Sequence, residues 1–220
     1  MTTLLLMRHG EIPQREPRRF VGQTDLPLTE HGRRQAARWA EAVGGQPLAG
    51  AWCSDLSRCV DTARLVLARN AVSARPLRAL REVDLGQWEG LTEEELRQRF
   101  PGEHERRGAD LANVAPAGGE SFAQVQDRAW RALQDIVADA KGLVLAVAHA
   151  GVNRALLCRI LGLPLDRLFS LGQDYCAMNI IDFAAGRPPQ LRALNLPPMG
   201  PGQLRDLLAP DITIWPKTRP

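Results

Sequence analysis

Five residues combine types and settings suited to phosphoryl chemistry: Arg8, His9, Arg58, Glu82 and His149. A guanidinium group binds phosphate oxygens in a two-pronged fork, a neutral imidazole can attack phosphorus, and a carboxylic acid can protonate the departing oxygen. Taken singly, either histidine reads as a satisfied structural residue and Arg58 as a surface cation; it is their joint placement that points to one site. Two histidines could instead ligate a metal. Neither an HExxH pattern nor a Cys/His ligand spacing occurs, however, and the flanking arginines would repel a cation, so the reading invokes no metal and no cofactor.

The elements that must position these residues are legible around them. Thr3 to Met7 is a continuous apolar run, the mark of a strand buried on both faces, and it ends in Arg8-His9-Gly10. Leu143 to Ala148 repeats the design and ends in His149-Ala150-Gly151. Ligands of open α/β sheets sit outside the carboxyl ends of the strands, so both histidines should emerge where such folds bind substrates. A third strand around Ala51 to Cys53 leads into Ser54-Asp55-Leu56-Ser57-Arg58, which opens a helix with Val60, Ala63 and Leu67 as its buried stripe. The free N–H groups and dipole of that helix start favour an anion.

The rest of the chain supplies loops and flanking helices. Glu11 to Thr24 is a proline-containing loop whose arginines, Arg15 among them, leave the candidate site and could share in anion binding. Thr29 caps a helix with Ala36, Ala40 and Val43 on one face and Gly44-Gly45 as its stop. Glu82 to Gly90 reads as an acidic, glycine-rich loop. Thr92-x-x-Glu95 and Ser121-x-x-Gln124 match the capping box and open helices to about Phe100 and Ala140. Between them, residues 101 to 119 are polar, and the whole span of about 83 to 120 is expected to be a small lid excursion above the sheet. A helix follows His149 as far as Gly162, and two late strands are expected at Tyr175 to Phe183 and Gln190 to Asn195. The domain is expected to occupy residues 1 to 197, with 198 to 220 as an appended tail whose apolar groups, Leu204-Leu207-Leu208 and Ile212-Ile214-Trp215, could dock on their own domain or on a partner subunit in a homodimer.

Composition narrows the class. The 220 residues suit one α/β domain with a sizeable core, and hydrophobic and charged fractions of 45% and 24% exclude wholesale disorder. A net charge of +3 without a long Lys/Arg block argues against nucleic acid but suits anionic small molecules. Cys53, Cys59, Cys158 and Cys176 form no C-x-x-C pair and sit in apolar surroundings, which favours reduced thiols and the cytoplasm. The short run from Leu4 to Met7 meets Arg8 at once and is no signal peptide, and no run reaches membrane-spanning length.

Five ordered motifs now converge: Arg8-His9-Gly10; Phe20-x-Gly22-x-x-Asp25-x-Pro27-Leu28-Thr29-x-x-Gly32; Ser54-x-Leu56-x-Arg58; Glu82-x-Asp84-x-Gly86-x-Trp88-Glu89-Gly90; and His149-x-Gly151-x-x-Arg154. Together they resemble the histidine phosphatase superfamily, also called phosphoglycerate mutase-like, from about residue 3 to 196. The resemblance implies a three-layer α/β sandwich with a mostly parallel central sheet flanked by helices. It implies that His9 is the nucleophile that becomes phosphohistidine, that Arg8, Arg58 and His149 form the phosphate pocket, and that Glu82 is the proton donor. Gly22 and Gln23 fall where the family's loop meets substrate, and Arg15 stands where the family often has asparagine.

Trp88-Glu89-Gly90-Leu91-Thr92 and Gly118-Gly119-Glu120-Ser121 are most similar to small-molecule phosphatases of the α-ribazole phosphatase type. The implied activity is metal-independent hydrolysis of a small phosphomonoester. The competing readings are a 2,3-bisphosphoglycerate-dependent phosphoglycerate mutase and a catalytically idle phosphate-ligand sensor. A mutase calls for extra cations around the pocket; after Glu82 the candidates Arg97, Arg99, Arg106 and Arg107 fall on a helix or in the polar excursion, where solvated surface is the expectation.

Overall fold

A computed structural model describes residues 1–14 and 16–209. Its centre is a six-stranded sheet built from β1 (Thr2–Arg8), β2 (Leu48–Cys53), β3 (Ala74–Pro76), β4 (Gly142–Ala148), β5 (Met178–Phe183) and β6 (Gln190–Leu196), in the order β3-β2-β4-β1-β5-β6. β1 to β4 run parallel, and β5 is antiparallel to both of its neighbours, β1 and β6. The three-layer α/β sandwich is therefore present, with a mostly parallel sheet.

The apolar run of β1 explains its central place. Leu4 and Leu6 point into one core with α5 (Phe122–Asp139) and α6 (Ala150–Leu161), while Leu5 and Met7 point into the other with α1 (Glu30–Gly44) and α2 (Ser57–Val66). All four are fully buried, as a strand covered on both faces requires. α1 and α5 begin where expected: Thr29 accepts from the Gly32 amide, and Ser121 with Gln124 completes a capping box.

Some expectations need correcting. The buried stripe of α2 is Cys59, Thr62, Ala63 and Val66, with Leu67 buried at its C-cap, whereas Val60 is exposed: the stripe begins one residue earlier than Val60 indicates. The late strand starts at Met178, not Tyr175; residues 174 to 177 form a turn in which the Ala177 amide donates to the Asp174 carbonyl. The polar stretch after Phe100 holds a seven-residue helix, α4 (Glu103–Ala109), next to α3 (Glu93–Arg99). Beyond β6, α7 (Pro201–Leu208) packs against α1 and buries Leu204 completely, so Leu204 docks on its own domain. Ile212, Ile214 and Trp215 lie outside the described residues, as does Arg15.

Candidate active site

The site is assembled by strand register. β1 and β4 are paired in parallel with Arg8 opposite Ala148, so the next residue of each strand, His9 and His149, emerges beside the other. Their rings meet edge to face at a centroid distance of 5.1 Å. The His9 amide donates to the Ala148 carbonyl, which extends the pairing past the strand ends. The second residue of α2 is Arg58, and it reaches under the same two rings.

His9 is buried, 4% exposed, and its Nδ1 lies 2.7 Å from the Gly10 carbonyl oxygen. A carbonyl can only accept, so Nδ1 carries the proton and Nε2 keeps its lone pair. Burial, then the charges of Arg58 and Arg8, push the pKa of His9 well below the ordinary histidine value. The ring is neutral at neutral pH and oriented as a nucleophile must be.

Arg58 is almost fully buried with every arm engaged: Nε donates to His149 Nδ1 at 3.2 Å, Nη1 to the Thr24 carbonyl at 2.8 Å and Nη2 to the Gly22 carbonyl at 2.8 Å. It thereby ties α2, β4 and the loop after His9 into one block. Accepting at Nδ1 leaves the His149 proton on Nε2, which lies 3.4 Å from Cys59 Sγ. Burial first, then Arg58, lowers the pKa of His149 well below its usual value. Arg8 stacks on Tyr175, with its guanidinium carbon 3.7 Å from the ring centre, and donates to the Gln173 carbonyl at 2.6 Å. Gln14 in turn donates to the Tyr175 hydroxyl.

Glu82 comes from the turn after β3. Its two carboxylate oxygens accept from the Val83 amide at 3.0 Å and from the Gly151 amide at 3.1 Å, the latter at the start of α6. A Cβ on Gly151 would come within 2.4 Å of the Glu82 carboxylate, so glycine is needed there for the approach. The main chain of Glu82 is held as well: its carbonyl accepts from Arg128 and from Gln23. Arg128 is itself fixed by Glu120 through two bonds of 2.7 and 2.8 Å.

A cleft of about 540 Å³ opens over this floor, and Arg8, His9, Gly22, Arg58 and Glu82 line it. Five of the residues anticipated from sequence thus face one space. His149 is fully buried and acts from behind, against His9 and Arg58, instead of facing the cleft. Gln23 also turns away from it: its amide and side chain are spent on Glu89 and on the Glu82 carbonyl. The left-handed Gly22 (φ +52°) sits so close to Glu89 that a Cβ would lie 2.2 Å from the carboxylate, which explains the glycine.

Sequence reasoning missed several residues around the cleft. Tyr175, Arg154, Phe122 and Phe169 line the cleft, and so does Arg107. The expectation that Arg107 is solvated surface is wrong: it is 8% exposed, with its guanidinium between Trp88 and Phe122 at 5.4 and 5.2 Å. Arg154 was visible as the last letter of the His149 motif, whereas Arg107 carried no local signal. Among the described residues no three His, Cys, Asp or Glu side chains gather as a metal site, and no helix is long and apolar enough to cross a membrane.

Residues 4–197 match the histidine phosphatase superfamily (branch 1). The chain is 34% identical over 177 residues to a glucosyl-3-phosphoglycerate phosphatase of Mycolicibacterium vanbaalenii, covering 77% of this chain and 78% of the relative. It is 31% identical over 182 residues to a 2,3-bisphosphoglycerate-dependent phosphoglycerate mutase of Gloeobacter violaceus, covering 80% and 83%. Among solved structures, Bacillus stearothermophilus YhfR superposes with a TM-score of 0.79 at 35% identity, covering 88% of this chain and 96% of that one. An Escherichia coli protein described as a putative alpha-ribazole-5'-P phosphatase superposes with a TM-score of 0.80 at 28% identity, again over 88% and 96%.

Proposed function

The chain belongs to the histidine phosphatase superfamily, branch 1, and we propose that it hydrolyses a small-molecule phosphomonoester through a phosphohistidine on His9. The observation that carries this reading is the state of His9: neutral, with Nδ1 bound to the Gly10 carbonyl and Nε2 free, between Arg8 and Arg58 on the floor of a cleft that Glu82 also lines. In the first step Nε2 attacks phosphorus in line as the P–O bond to the alcohol breaks. The phosphoryl oxygens draw on Arg8, Arg58 and the positive field around them, and Glu82 gives its proton to the departing alkoxide. In the second step Glu82, now a carboxylate, takes a proton from water as that water attacks the phosphohistidine. Inorganic phosphate leaves and His9 is restored. No step in this scheme needs a metal or a cofactor.

α-Ribazole 5'-phosphate is one substrate to test, on the strength of the Escherichia coli structural relative and the Trp88 and Gly118 motifs. The buried, unpaired cysteines support a reducing, cytoplasmic setting. Phosphoglycerate mutase activity is the second reading, favoured by the mutase relative and by further cations lining the cleft, Arg107 and Arg154. Phosphate release from a panel of monoesters in chelator tests the first reading. Isomerisation of 3-phosphoglycerate, primed by 2,3-bisphosphoglycerate and outrunning phosphate release from every monoester, would replace it with the second; phosphate binding without either turnover would leave a ligand sensor.

A further inference from the structure

Among the described residues, Arg107 differs from the other buried arginines of the site in making no hydrogen bond and no ion pair. Its Nε and Nη2 are sealed from solvent and make no hydrogen bond, and burial alone lowers its pKa, with no carboxylate near enough to offset it. The rings of Trp88 and Phe122 clamp it and return part of the lost solvation as cation–π attraction. Arg58, by contrast, spends all three nitrogens on acceptors, Arg128 is paired with Glu120, and Arg8 and Arg154 both feel Glu82 and Asp174. A buried cation left without a counter-charge is costly, and that cost falls when an anion arrives.

The place of Arg107 says which anion. It lines the same cleft as His9 but is held between Trp88 and Phe122, whereas Arg8 and Arg58 belong to the cluster of His9, His149 and Tyr175 where the phosphorus must sit. With Nε and Nη2 sealed behind the rings, Nη1 is the nitrogen left open toward the cleft. The cleft is also lined by an exposed Phe169, edge to face with Phe122, which gives the alcohol part of a substrate an apolar surface beside the cation. We propose that Arg107 binds a second anionic group, a carboxylate or a further phosphate, carried on the alcohol part of the substrate. This rests on the phosphomonoesterase reading and narrows it: a substrate whose alcohol is neutral would leave Arg107 unpaired.

The test uses three substrates, namely glycerol 3-phosphate, 3-phosphoglycerate and propane-1,3-diol bisphosphate, with neutral, carboxylated and phosphorylated alcohol parts. The wild-type protein should favour one anionic member over glycerol 3-phosphate by about tenfold or more in kcat/KM, and which member wins identifies the group. Arg107→Met should lower that preference about 10–100-fold, chiefly through KM, and Arg107→Lys should restore part of it. Binding of the same three compounds to the His9→Ala protein gives a readout independent of turnover. Preferential binding there without hydrolysis anywhere would overturn the proposed function and leave this inference standing. No wild-type preference in rate or binding, or a loss that Arg107→Met imposes equally on all three, would overturn the inference. Should Arg107→Met fail to fold, the wild-type comparison and Arg107→Lys decide it.

Discussion

The floor and the far wall of the cleft are built on opposite principles. On the floor, Arg58 engages each of its three nitrogens, His9 is fixed through Gly10, and Glu82 is held by two amides and two side-chain donors to its carbonyl. On the wall, Arg107 has no acceptor among the described residues and Phe169 is 61% exposed. Saturated bonding preorganises charge for a reaction that is the same for every phosphomonoester, whereas unspent groups are free to meet whatever the alcohol brings. The difference assigns chemistry to the floor and choice of substrate to the wall.

The comparison is easiest to break at its centre. His9→Ala should cost about 10³-fold or more in kcat on every phosphomonoester and abolish an acid-labile, base-stable phosphoryl label on the peptide containing residue 9. Normal turnover by that variant, or label elsewhere, would remove His9 from the mechanism. Glu82→Gln should slow poor leaving groups by about 10²–10⁴-fold and nitrophenyl phosphate far less, because nitrophenolate departs without a proton. Equal losses on both would move the proton donor elsewhere.

A third test asks whether the floor depends on its exact spacing. Gly151→Ala places a methyl 2.4 Å from the Glu82 carboxylate and must displace it, so kcat should fall about 10²-fold on alkyl phosphates with little change in KM. A loss confined to KM would show that Glu82 only shapes the cleft. The smallest effect concerns pH. His9 and His149 both have depressed pKa values in the fold, so below about pH 6.5 the unfolded chain binds more protons than the native one. Stability should therefore fall as pH drops through that value, first through the histidines and then, as pH falls through the ordinary carboxylate range toward their lowered pKa values, through Asp55 and Glu120. Thermal melting from pH 8 to 5 checks this, and a flat profile would mean that the two imidazoles are charged in the native state.

The same contrast governs what the amino-acid sequence revealed. β1, β4 and the start of α2 were readable because a strand buried on both faces leaves an unbroken apolar run, and the residue after such a run is placed by the sheet itself. Arg8, His9, Arg58 and His149 follow from that logic. Arg107 does not, since its neighbours Glu105, Arg106 and Gly108 are polar or bare, and its burial depends on Trp88 and Phe122, brought in from distant segments. The inward turn of Gln23 was hidden for a similar reason: its partners, Glu89 and the Glu82 carbonyl, lie some sixty residues away. Tyr175 was assigned to a strand on aromatic and β-branched letters, yet the chain turns at Asp174 and delivers it under Arg8.

Among the described residues, Arg58 grips the loop after His9 through the carbonyls of Gly22 and Thr24. Main-chain oxygens are offered by every amino acid, so once Gly22 has set the turn, this anchor does not depend on the side chains around it. Lineages could rewrite Val21, which lines the cleft, to suit a new alcohol while the guanidinium kept its hold and its place beside His149. Innovation at the rim and fidelity at the centre are thus mechanically decoupled by a bond that does not read sequence.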